Sequence, residues 1–253
     1  MTKHPIIVHV PHSSTLIPST VREGIILSDD KLENELLLMT DWYTDEFAAV
    51  GEKYGTLIKH KFSRLVVDPE RFRDKKREVM NSVGMGAVYV LTHDGKQLRL
   101  LENNEEERLL NDYFDPYHDL FNEKTARILE EFKKCIIIDI HSFPSKPLPY
   151  ELNQNEFRPD ICIGTDDYHT PSYLTDFAVK YFNENGLTTR RNEPFSGTFI
   201  PTKFYHIDKR VLSIMIEIKR SLYMDEEKGE KIESFLQIQK LMNRFISELM
   251  ENI

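Results

Sequence analysis

The run Ile136-Ile137-Ile138-Asp139-Ile140-His141-Ser142 constrains the fold more than any other stretch. A short apolar, β-branched run bounded by loop signals is a strand buried on both faces, as in the interior of an α/β sheet. The chain leaves it through Phe143-Pro144-Ser145-Lys146-Pro147-Leu148-Pro149, where the prolines forbid an immediate helix. His141 is therefore placed at a strand's carboxyl end, the edge where open α/β sheets bind ligands. Residues 5–14 repeat this plan, with an apolar strand over 5–10 and then Pro11-His12-Ser13-Ser14. Two such endings can set His12 and His141 on one rim. His9 lies inside its strand, where a polar group ordinarily serves a structural partner.

Acidic side chains cluster nearby in the pattern. Ser28-Asp29-Asp30 opens a helix at Lys31 with an apolar stripe of Leu32, Leu36, Leu37 and Met39. A second helix is predicted from Asp41 to the Tyr54-Gly55 end, which puts Asp41, Asp45 and Glu46 at a helix start. Acids there serve as caps and dipole partners, or as ligands. Strand pieces follow over 56–61 and 65–67, then Asp68-Pro69-Glu70-Arg71. The guanidinium forks of Arg64 and Arg71 suit a substrate carboxylate, and pairing with Asp68 and Glu70 is the competing use.

The rest alternates strands and helices. A strand over 87–91 follows Gly84 and Gly86, and an amphipathic helix kinked at Pro116 is predicted over 105–134. Further strands fall at 159–165 and 211–216, a helix at 172–185, an edge strand or loop at 188–192, an exposed turn at 193–197, and a C-terminal helix at 226–251. Glu217 continues the last apolar strand. A carboxylate inside such a strand costs several kcal/mol to desolvate unless it is paired, with Arg220 here, or employed as a base of raised pKa.

Composition narrows the class. At 253 residues, 40% hydrophobic, the chain is read as one domain spanning 1–253 with ample core. A net charge of −9 argues against nucleic acid as a partner. Cys135 and Cys162 are too few for a disulfide framework and read as small buried hydrophobes. Neither a signal peptide nor an apolar run of about 20 residues is found, which predicts a soluble, cytoplasmic protein with no membrane partner.

Six motifs, in order along the chain, carry a resemblance: Val8-His9-Val10-Pro11-His12-Ser13, Thr40-Asp41-Trp42-Tyr43-Thr44-Asp45-Glu46, Ser63-Arg64-Leu65-Val66-Val67-Asp68, Asp139-Ile140-His141-Ser142-Phe143, Asn192-Glu193-Pro194-Phe195-Ser196-Gly197, and Glu217 to Met224. Together they resemble the N-formylglutamate amidohydrolase family, which is similar in architecture to the zinc carboxypeptidases. The resemblance implies an α/β, three-layer, phosphorylase/hydrolase-like fold, a mixed twisted sheet flanked by helices with a metal at the strand ends. It implies His12, His141 and Asp41 as ligands of Zn2+ or another divalent metal, with Asp45 and Glu46 as alternates for the acid. Two imidazoles and one carboxylate leave a position open, as catalytic zinc sites require. Glu217 becomes the general base, and Arg64, Arg71, Asn192 and Gly197 bind substrate. The implied reaction is hydrolysis of a small acidic N-acyl amino acid, N-formyl-L-glutamate to formate and L-glutamate. A deacylase or carboxypeptidase acting on another N-acyl amino acid or peptide would use the same residues, and a non-catalytic metal- or ligand-binding protein is the remaining reading.

Overall fold

The apolar runs assemble into one six-stranded sheet in the computed structural model of the chain, which describes residues 4–54 and 57–251. The strands are β1 (Ile6–Val10), β2 (Leu57–Lys59), β3 (Cys135–Phe143), β4 (Ile161–Gly164), β5 (Thr189–Arg191) and β6 (Val211–Lys219). Their order across the sheet is β2-β1-β3-β6-β4-β5. β2, β1, β3 and β6 run parallel, while β4 is antiparallel to β6 and parallel to β5. Register sets His9 beside Asp139 and His141 beside Glu217.

Alternation along the strands gives the sheet two unlike faces. Ile6, Val8, Val10, Ile136, Ile138, Ile140, Ile214, Ile216 and Ile218 form one, entirely apolar, packed against helices α3 (Ser172–Glu184) and α4 (Phe235–Glu251). α4 contributes Phe235, Ile238, Leu241, Met242, Phe245, Ile246 and Leu249 at helical spacing, each buried side chain worth about 1.5–3 kcal/mol. The opposite face begins apolar, with Ile7, Cys135, Ile137 and Val211 packed against Phe121, Ile128 and Leu129 of α2 (Asp115–Phe132). Toward the carboxyl ends it turns polar, through His9, Asp139, His141, Ser213 and Glu217, all buried. Helix layers thus cover both faces, and the polar strip marks where the site lies. Cys135 and Cys162 are free and buried. No described helix is long and apolar enough to cross a membrane.

Several predicted elements differ. α1 spans Asp29–Met39, but the helix expected after Asp41 is broken into the single turns Thr44–Phe47 and Val50–Lys53. The Asp41 N–H donates to the His12 carbonyl (3.0 Å) and Tyr43 takes a positive φ of 65°, so Asp41 is drawn onto the rim instead of starting a helix. Gly55 and Thr56, expected at a helix end and a strand start, lie outside the described residues. Residues 65–67 form a buried turn, not a strand: Ser63 accepts the Val66 N–H through its carbonyl (2.8 Å) and the Leu65 N–H through Oγ (3.2 Å). Residues 87–91 make only isolated bridges, Met85 with Tyr89 and Leu91 with Gln97. The predicted helix over 105–134 divides at a widened turn, Leu110–Phe114, and Pro116 stands in the first turn of α2, where its missing N–H costs nothing. The C-terminal helix begins at Phe235, because Met224–Asp225 pairs with Glu230–Lys231 around Gly229, whose φ is 74°.

Candidate active site

His12 leaves β1 through Pro11, His141 stands on β3, and Asp41 follows α1. Their side chains converge. His141 Nδ1 is 3.0 Å and His12 Nδ1 3.6 Å from the same Asp41 Oδ2, and one donor atom from each residue lies within 4.8 Å of the others. Each ring is held through its other nitrogen. His12 Nε2 donates to Asp68 Oδ1 (2.8 Å), and His141 Nε2 faces Asp139 Oδ1 (3.0 Å) and Glu70 Oε1 (3.1 Å). Carboxylates only accept, so these contacts put a proton on each Nε2 and direct each Nδ1 at Asp41. His12 Nδ1 is buried without a hydrogen-bond partner.

The electrostatics favour positive charge at this spot. Burial opposes charging His141, yet Glu70, Asp139 and Asp41 hold its pKa well above the usual imidazole range. Burial likewise opposes ionising Asp41, and the neighbouring His12 and His141 imidazoles override it, holding that carboxyl far below its usual value. Two imidazoles, one ionised carboxylate and a carboxylate behind each ring fit a divalent cation. A second grouping, Asp166, His169 and His206, does not: His169 Nδ1 donates to the Val211 carbonyl (2.7 Å) and Nε2 accepts the His206 N–H (2.8 Å), so both nitrogens are occupied.

Glu217 lies on β6 in register with His141. Burial lifts its pKa to about 8, with Asp41 and Glu70 adding to the rise and His141 and Arg220 opposing it. Its Oε2 is buried without a hydrogen-bond partner. Arg220, the alternative partner, is committed elsewhere: Nη2 to Asp41 Oδ1 (3.1 Å), Nε to Ser142 Oγ (3.2 Å) and Nη1 to the Leu38 carbonyl (2.6 Å). Arg220 thus braces Asp41, and Glu217 has no hydrogen-bond or ion-pair partner among the described residues.

These groups border a cavity of about 850 Å³. Arg64 borders it too, but donates through Nη2 to Asp68 Oδ2 (2.8 Å) and through Nε to the Tyr89 hydroxyl (3.1 Å), which itself donates to Asp68. Pairing is therefore its use. Arg71 touches Asp68 only through Nε (3.5 Å), and its side chain makes no hydrogen bond among the described residues, leaving the fork to the cavity. Gly197 lines the cavity with a φ of 90°. Asn192 does not line it. Its Oδ1 accepts the Thr165 N–H (2.8 Å) and its Nδ2 donates to Thr165 Oγ1 (2.9 Å). Asp45 pairs with Lys59 (3.0 Å) and Glu46 with Lys231 (2.6 Å), so neither alternate acid joins His12 and His141. Sequence reasoning missed the orienting carboxylates Asp68 and Asp139. The signal for Asp139 was present, a carboxylate within an apolar strand.

A mixed sheet whose carboxyl edge carries this donor set beside a buried carboxylate fits an amide-hydrolysing enzyme built on an α/β sheet. The chain belongs to the N-formylglutamate amidohydrolase family, whose profile matches residues 4–224. An N-formylglutamate deformylase of Pseudomonas aeruginosa is 26% identical over 231 residues, 88% of this chain and 83% of that protein. Another from Pseudomonas putida is 23% identical over 229 residues, 88% of this chain and 82% of that one. The crystal structure of an N-formylglutamate amidohydrolase from Ralstonia eutropha superposes with a TM-score of 0.82 at 24% identity, covering 98% of this chain and 94% of that one, which supports the fold.

Proposed function

We propose that the chain is a zinc-dependent amidohydrolase that converts N-formyl-L-glutamate to formate and L-glutamate, with His12, Asp41 and His141 as the metal ligands. The observation that carries this reading is the convergence of His12 Nδ1, His141 Nδ1 and Asp41 Oδ2 beside Glu217. When bound, the ion supplies Lewis acidity, which polarises a carbonyl and lowers the pKa of water toward neutrality. Glu217 takes a proton from the attacking water as the C–O bond forms at the formyl carbon. It then delivers that proton to the amine nitrogen as the C–N bond breaks. A carboxyl lifted by burial to about 8 suits both duties, since it accepts a proton more readily than an exposed glutamate does. Arg71 receives a substrate carboxylate on its open fork while Arg64 fixes Asp68 behind it. The Gly197 backbone lines the amino-acid side of the cavity. The names of the Pseudomonas relatives support N-formylglutamate as the substrate.

The test is formate release by the purified protein from N-formyl-L-glutamate, set against other N-acyl amino acids and short peptides. The highest kcat/KM is expected on N-formyl-L-glutamate, with activity abolished by exhaustive chelation and restored by Zn2+. Better turnover of a peptide or another acyl group would reassign the substrate, and activity that survives chelation would remove the metal.

A further inference from the structure

Asp139 is caught between two imidazoles. Its Oδ1 is 3.0 Å from His141 Nε2 and 2.9 Å from His9 Nδ1, and its Oδ2 accepts the Phe199 N–H at 2.9 Å. On the far side, His9 Nε2 lies 2.7 Å from the Tyr117 hydroxyl of α2. His9 and Asp139 are fully buried and Tyr117 nearly so. His9 is packed edge-on against Phe121 and tilted against Phe199, at ring separations of 5.0 and 4.4 Å. A core position surrounded this way would hold an aliphatic side chain at lower cost, because a buried imidazole must have its polar atoms satisfied. The proposed mechanism gives His9 and Tyr117 no task.

Proton direction along the chain supplies one. The Asp139 carboxylate accepts only, so His141 Nε2 donates to it, while His9 Nδ1 faces the same oxygen at ion-pair distance without hydrogen-bond geometry, with its hydrogen on that side. His9 Nε2 is then bare and takes the Tyr117 O–H. We infer that His9 and Tyr117 are positioning residues of the metal centre: through Asp139 they lock the His141 ring with its Nδ1 edge turned to Asp41, the side on which the proposed ion would bind. Glu70 also reaches His141 Nε2 (3.1 Å) and His9 Nδ1 (3.8 Å), but from the loop after Asp68. Asp139 is held by strand register and the Phe199 N–H, so the lock runs through it. This inference rests on the metal reading above, and only on the part that makes His141 a ligand.

The experiment measures Zn2+ affinity of the metal-stripped protein by competition with a chromophoric chelator, ion stoichiometry by elemental analysis, and the melting temperature without metal. His9→Phe keeps an aromatic ring and removes both nitrogens. Tyr117→Phe removes one oxygen and keeps the test open should His9→Phe fail to fold. His9→Gln restores an N–H donor. The wild type is expected to bind one ion per chain. Loss of an outer polar contact behind a ligand weakens metal binding roughly 10–100-fold, the effect expected for His9→Phe. A smaller loss is expected for Tyr117→Phe and partial recovery for His9→Gln, with metal-free melting temperatures close to the wild type. Unchanged affinity in both Phe variants overturns the lock alone. Two ions per chain, one of them lost in His9→Phe, overturns it differently, by making His9, Glu70 and Asp139 a second ligand set, since their donor atoms also lie within 4.8 Å of one another. A wild type that binds no divalent ion overturns the metal reading and the lock with it.

Discussion

The proposed reaction requires Glu217 to be buried and ionised at once. Burial favours its neutral form and lifts its pKa to about 8, whereas proton abstraction needs the carboxylate. A divalent ion bound as proposed would favour the anion, so activity should rise with pH through a midpoint below about 8 and level off above it. Glu217→Gln is expected to lower kcat by roughly 10²–10⁴ and erase that acid limb, while Zn2+ affinity changes little. Wild-type turnover in Glu217→Gln would sink the base assignment. At this scale the sequence was informative where chemistry meets an apolar background. A histidine near the carboxyl end of a buried strand and a glutamate extending one are both legible, and Asp139 is open to the same argument as Glu217. Its place two residues before His141, inside an otherwise apolar run, gives it the same pattern as a plain strand residue. Asn192 misled for the opposite reason. It neighbours the cavity-lining turn in sequence, but its positive φ of 55° directs the amide to Thr165.

Among the elements, α2 shows how packing overrides a local pattern. The apolar periodicity over 105–134 is real, yet Pro116 is accommodated by starting a new helix after a widened turn. That places Tyr117 and His118 at the buried start of α2. His118 stacks on Phe114 at 4.1 Å and donates through Nε2 to the Pro69 carbonyl (2.9 Å), which ties α2 to the loop bearing Glu70 and Arg71. Burial pushes the pKa of His118, and of His60, down to about 4. Both are depressed from 6.5, so their neutral forms contribute stability that is complete above about 6.5 and lost as pH falls toward 4. The loss is at most about 3 kcal/mol per residue. Urea unfolding at pH 7 and pH 4.5 should show this decline, reduced by roughly 1–3 kcal/mol in His118→Gln, which cannot titrate there. An undiminished decline in the variant would mean that His118 takes up its proton in the folded state. Residues 65–67 teach a related lesson, since their burial is legible from composition, whereas the turn depends on the Ser63 hydroxyl and carbonyl capturing the next N–H groups.

Across the whole molecule, the division of the sheet into an apolar face and a polar strip separates stability from chemistry. The fold class follows from alternating strands and helices, but the reversal of β4 against β6 does not, because a four-residue apolar strand reads alike in either direction. The separation has a measurable consequence. Phe245 belongs to the cluster under α3 and α4, on the face away from His141, and Phe245→Ala should cost about 3–5 kcal/mol. Zn2+ at about a thousand times its dissociation constant should add about 4 kcal/mol by mass action. If β3 and β6 transmit no strain between faces, the two effects should add within about 0.5 kcal/mol, and the Zn2+ increment should be the same in Phe245→Ala as in the wild type. Urea unfolding of both proteins with and without Zn2+ completes the cycle. A Zn2+ increment that collapses in Phe245→Ala would mean that the geometry of the proposed ligand His141 depends on packing beneath its own strand, and the two faces would have to be treated as one cooperative unit.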